Sequence, residues 1–139
     1  MPITHRDEGF SLLEVLVALV ILALGLLGLA AMQMVSLQGN HSAFVRSQAS
    51  FKAGDILDRM RVNRGEALSE EYDIAMGESA NGNGTRAEND LNAWKESLRA
   101  TLPQGDGSVD VQNGFATIII QWQDPGEKDL SRFQTETEI

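Results

Sequence analysis

Cysteine is missing from this 139-residue sequence, and its absence excludes a disulfide framework, a thiolate nucleophile and a cysteine metal site together. Cations are also scarce. Eleven Lys and Arg stand against twenty Asp and Glu, giving a formal net charge of −9. Affinity for a phosphate backbone is built from clustered cations, so no nucleic-acid partner is expected. Histidine occurs only as His5 and His41, which form neither a catalytic triad nor a metal set, and His41 reads as a solvated position on a helix. No nucleophile, base and orienting acid can be assembled, and no phosphate loop or dinucleotide fingerprint is present. The chain therefore reads as no enzyme, with no cofactor and no metal required. Proline is absent from Phe10 to Val62, so nothing in that stretch breaks a helix.

What is present is dominated by one apolar run. From Val15 to Val35 the sequence holds 21 consecutive residues without formal charge, Gln33 being the strongly polar exception. At about 1.5 Å per residue this run spans about 31 Å as a helix, enough for a bilayer core. It is too long for a secretory signal, and its flank, His5-Arg6-Asp7-Glu8, is not basic. A plain membrane anchor should exclude carboxylates, which cost about 2.5 to 3.5 kcal/mol at mid-membrane. Yet Glu14 sits among Phe10, Leu12, Leu13 and the Val15 run. Something must compensate that charge.

The residues Gly9-Phe10-Ser11-Leu12-Leu13-Glu14-Val15 resemble the type IV prepilin signature. The resemblance implies that a prepilin peptidase cuts between Gly9 and Phe10 and that the new amine of Phe10 is N-methylated. It also implies that Glu14 partners the cationic terminus of a neighbouring subunit. In a low-dielectric filament core an unpaired ammonium and an unpaired carboxylate are each costly, so their meeting would fix axial register. The alternative for Glu14 is an interfacial carboxylate favoured by the helix dipole. Gly25 and Gly28 have GxxG spacing, open either to close helix approach or to plain tolerance in lipid.

Beyond Val35 the pattern turns amphipathic, and its approximate 3.6 periodicity continues the helix to about Val62. From Phe10 this makes about 80 Å of helix. Asn63-Arg64-Gly65 reads as a stop, with glycine in a left-handed cap. Residues 65 to 88 read as a surface loop, with Asn81-Gly82-Asn83-Gly84 as its turn signal. Leu91, Trp94, Leu98 and Leu102 recur at helical spacing before Pro103, predicting a short helix from about Glu88 to Leu102 with Trp94 as core anchor. Three strands are expected over Ser108 to Gln112, Phe115 to Gln123 and Arg132 to Ile139. Ile118, Ile120 and Trp122 alternate onto one face of the middle one. The fold class is α+β: a long N-terminal helix packed on a small antiparallel sheet with one extra short helix. With the leader over 1–9 and the filament-core role that the prepilin resemblance implies, the expected organisation is a membrane or filament-core helix over 10–35, its amphipathic half over 36–64 and a head over 65–139.

The stretch Asp55-Ile56-Leu57-Asp58-Arg59-Met60-Arg61-Val62-Asn63-Arg64, Trp94 before Leu102-Pro103, and the strand Ile118 to Asp124 are similar to the PilV-type minor pilins. That resemblance implies the type IV pilin fold and a structural role with other minor and major pilins in starting pilus assembly, with adhesion at the tip. It implies a single-pass inner-membrane precursor with a periplasmic head, an inner-membrane assembly platform as a further partner, and a later place at or near the pilus tip. A ligand-binding tip module is a second reading. The pseudopilins of type II secretion systems share the N-terminal signature and are the alternative family. The chain departs from the usual pattern in its leader, which lacks net positive charge, and in lacking a C-terminal disulfide. The missing helix proline leans toward a minor subunit.

Asp106, Asp110, Asp124, Glu127 and Asp129 raise a calcium hypothesis, but their spacing fits no EF-hand loop and turn-forming aspartates explain them. The run Ile118-Ile119-Ile120 is either an exposed edge able to recruit another strand or a central strand with two covered faces, and the central reading is preferred.

Overall fold

A computed structural model describes residues 10–80 and 84–139. The elements follow in the order α1 (Leu12–Val62), α2 (Arg64–Leu68), α3 (Arg86–Thr101), β1 (Asp106–Gln112), β2 (Phe115–Gln123) and β3 (Leu130–Glu138). This is the α+β type IV pilin fold. The chain forms two compact units, one through Gly39 and one from Asn40 onward.

In the first unit α1 is apolar all round. Its side chains from Leu12 to Leu37 lie exposed, and by length and composition the helix can cross a membrane. A helix apolar on every face has no preferred side to bury against its own chain, so it requires lipid or another protein.

In the second unit α1 becomes two-sided. Val45, Ala49, Ala53, Ile56 and Met60 recur every three or four residues and are buried, whereas Phe44, Phe51 and Val62 remain exposed. The buried stripe joins Leu91, Trp94 and Leu98 of α3 and Val109, Val111, Ala116, Ile118, Ile120 and Trp122 of the sheet in one core. Trp94 is its anchor: the ring is fully buried and its Nε1 donates to the carbonyl of Lys52, 2.8 Å away. A buried indole N–H without an acceptor would cost about 1–3 kcal/mol, so this bond accompanies the apolar burial.

The sheet is antiparallel with order β1-β2-β3, so β2 is central as preferred. Its Ile118, Ile120 and Trp122 face the core. Its other face is not covered as that reading required: Thr117, Ile119, Gln121 and Gln123 are half-buried and Phe115 is exposed. Asn113 and Gly114, both at positive φ, make the two-residue turn between β1 and β2. Gly107 is required for another reason: a Cβ there would collide with the Trp94 ring.

Several boundaries differ from expectation. Gly65 is no left-handed stop but lies within α2, because the chain turns at Asn63, whose Nδ2 donates to Glu66 Oε2 at 2.7 Å and to the Tyr72 hydroxyl at 3.3 Å. The segment after it is more than a surface loop: it holds α2 and a bridge between Ile74 and Val109. Of its turn signal, Asn81-Gly82-Asn83 lies outside the described residues. The helix α3 starts at Arg86, two residues before Glu88, since Thr85 and Glu88 form a reciprocal capping box. The outer strands begin two residues earlier than expected, and β3 ends at Glu138.

Candidate functional site

The N-terminal site begins at the start of α1. Ser11 caps the helix: the Glu14 N–H donates to Ser11 Oγ at 3.2 Å and to the Ser11 carbonyl at 3.0 Å. This places Glu14 in the first turn, where the helix dipole favours its charge. The dipole alone is worth about 0.3–1 kcal/mol, less than the cost of a carboxylate in a bilayer. Phe10, Glu14, Val15, Ala18, Leu19 and Leu22 line one shallow groove along this face, so the carboxylate is set among apolar side chains. Among the described residues no hydrogen bond or ion pair engages the Glu14 carboxylate. The groove sets a carboxylate where a cationic partner would make its burial tolerable. Gly9 lies outside the described residues, so the geometry of the bond between Gly9 and Phe10 does too.

Residues 4–30 match the family model described as the prokaryotic N-terminal methylation motif. The chain carries a prepilin-type N-terminal signal. The motif supports a type IV pilin-like protein, a class that is structural and not enzymatic, and with the apolar helix it fits anchoring in the inner membrane followed by incorporation into a pilus. It also implies processing by a peptidase. No curated protein and no solved structure matches the chain.

In the head of this pilin-like chain the polar residues serve the fold. Arg59 joins Asp55 in α1 to Asp90 in α3, with N···O distances of 3.3 and 3.2 Å. Asp90 also accepts from the Tyr72 hydroxyl at 2.8 Å, and Glu66 accepts from the amide of Ala87 at 3.0 Å. Asp55 and Arg59 on α1, with Asn63 at the turn just after it, thus lock α1, α2 and α3 together. Burial pushes the Tyr72 hydroxyl up, Asn63 opposes this, and the Asp90 carboxylate adds to it, so its pKa stands at about 12.

The acidic residues considered for calcium are dispersed. Asp106 pairs with the buried Lys95 at 3.0 Å and accepts from the Gly77 amide, while Lys95 Nζ also donates to the Ala75 carbonyl. Burial raises the Asp106 carboxyl, but the amides of Gly77 and Gly107 and the Lys95 ammonium outweigh it and hold it below the usual carboxylate value. Asp124 accepts from Trp122 Nε1 and from Ser131 Oγ, and Asp110, Glu127 and Asp129 stand exposed. Among the described residues no three acidic or histidine side chains gather into a metal site. His41 lies on α1, on its exposed side.

The Lys95–Asp106 pair and the Tyr72–Asp90 bond were not foreseen. A lysine inside the otherwise amphipathic α3, followed by an aspartate between two glycines, is the signal that points to the first. Nothing local points to the second.

Proposed function

We propose that the protein is a minor pilin of a type IV pilus, most similar to the PilV type. Its leader, residues 1–9, is removed by prepilin peptidase after Gly9, and Phe10 is then N-methylated. Residues 10–35 hold the precursor in the inner membrane with residues 36–139 in the periplasm, and later enter the filament core. There Glu14 takes the N-terminal ammonium of a neighbouring subunit as its partner. The pair acts as a ruler: sliding by one helical turn would strand both charges in an apolar core, so only one register is tolerated.

The observation that carries this reading is Glu14, a carboxylate in an apolar groove beside Phe10 that no cation engages among the described residues. The proline-free helix supports a minor subunit. Other minor and major pilins and the inner-membrane assembly platform are the partners, with pilus initiation at or near the tip as the role and adhesion as its consequence. Sheared surface filaments should contain the chain at a small fraction of the major subunit, and deleting its gene should lower the number of filaments. Its retention in the membrane fraction, with loss of secretion and not of pili on deletion, would instead assign it to the pseudopilins of type II secretion.

A further inference from the structure

The two edges of the sheet are treated differently. On the β1 side the chain closes the edge itself: Ile74 and Val109 exchange backbone hydrogen bonds at 2.9 and 3.0 Å, and the Val111 amide donates to Asp73 Oδ1 at 2.9 Å. On the β3 side, among the described residues, the one hydrogen bond to the outward backbone is from Arg61 Nη2 to the Glu138 carbonyl at 3.3 Å. The bond from Ile139 N–H to the Gly114 carbonyl continues the β2–β3 register as a hydrogen-bonded pair. Antiparallel pairs alternate, so the odd-numbered residues of β3 bond to β2. The even-numbered residues Leu130, Arg132, Gln134, Glu136 and Glu138 therefore turn their N–H and C=O groups outward.

We propose that this open edge pairs antiparallel with the β3 edge of a second copy of the chain, centred on Gln134, joining two sheets into one. The choice of occupant follows from charge. In that register Arg132 of each copy stands directly opposite Glu136 of the other, on one face of the joined sheet, twice by symmetry. Neither residue has an oppositely charged side chain within 4.0 Å among the described residues, and Arg132 meets only Gln134 Oε1, at 3.0 Å. Other registers are worse. Centring on Arg132 opposes two arginines, and centring on Glu136 opposes two glutamates. Centring on Thr135 sets Arg132 against Glu138 but pairs β3 only from Arg132 to Glu138, whereas the Gln134 register pairs it from Leu130 to Glu138. This inference is independent of what happens at Phe10 and Glu14.

The natural lack of cysteine makes the test direct. Full-length chain carrying Gln134→Cys is oxidised in detergent micelles and its disulfide-linked dimer is measured on non-reducing gels. Asp110→Cys, exposed on the same sheet face on β1, the strand of the closed edge, serves as control. The expected dimer fraction for Gln134→Cys is about tenfold above the control, falls to the control level when Arg132→Glu is added, and returns when Glu136→Arg is added to both. The rescue is specific to the Gln134 register, because with Thr135 at the centre the double exchange would oppose two acids. Thermal melts of each variant verify that the head is folded. Equal cross-linking of Gln134→Cys and Asp110→Cys would overturn the proposal, as would an Arg132→Glu variant that still cross-links or a double exchange that does not recover. None of these variants touches Phe10 or Glu14, so such a failure leaves the N-terminal reading standing.

Discussion

The hydroxyl of Tyr72 donates to Asp90 Oδ2 across 2.8 Å, fastening the segment after α2 to α3. Tyr72 is the sole tyrosine of the chain, so tyrosinate absorbance reports on this bond alone. Its titration should have a midpoint at about 12 in the folded protein against about 10 after unfolding. Because the folded pKa is the higher, the stabilisation is fully present below about pH 10 and disappears as pH rises through about 12. Tyr72→Phe should cost about 1–3 kcal/mol at pH 7, since Asp90 and Asn63 each lose a partner, and should flatten the fall in stability between those pH values. Denaturant melts across pH read both effects.

Lys95→Ala should be among the most damaging changes in the head. It leaves Asp106 half enclosed without its cation, at a cost of about 3–5 kcal/mol. The Asp106 carboxyl is held below its ordinary value, so the pair's contribution is present above the unfolded carboxylate pKa and is lost as pH falls through the lower folded one. Wild-type stability should therefore decline at acid pH more steeply than that of a Lys95→Met, Asp106→Asn double variant, as measured by urea unfolding.

Gly107→Ala should destabilise by about 1–3 kcal/mol, because the added methyl meets the Trp94 ring and the core must shift to admit it. A changed tryptophan emission at unchanged far-ultraviolet dichroism would mark local repacking. An unchanged melting temperature would count against the close approach.

At the N-terminus two substitutions separate two steps. Gly9→Ala should leave the precursor uncut. Glu14→Ala should be cut almost normally yet reach filaments at least tenfold less, since the neighbour's ammonium would be buried alone. Immunoblots of sheared filaments and membranes distinguish these outcomes, and normal assembly of Glu14→Ala would contradict the register role.

Much of the fold was legible because periodicity is local. Ile118, Ile120 and Trp122 announce a strand with one core face, and the Phe115 to Gln123 bounds hold to the residue. Leu91, Trp94 and Leu98 likewise announce α3. The capping box at Thr85 and Glu88 was hidden in an acidic stretch that reads as loop, which set the expected start of the helix about half a turn late. Gly65 misled because a glycine after basic residues usually ends a helix, whereas here the Asn63 side chain makes the turn and a new helix begins at once. The bonds from Arg59 and Tyr72 to Asp90 span long stretches of sequence, so no local pattern carries them. Of the candidate site, Glu14 stood out because a carboxylate beside an apolar run is costly. The open edge of β3 did not, since edge status depends on strand order.

The most direct test of the account is the mass of the mature N-terminus, measured on protein from sheared surface filaments. The expected chain begins with N-methylated Phe10, the first nine residues having been removed. A chain that still begins at Met1, or a terminus cut elsewhere than between Gly9 and Phe10, would contradict it.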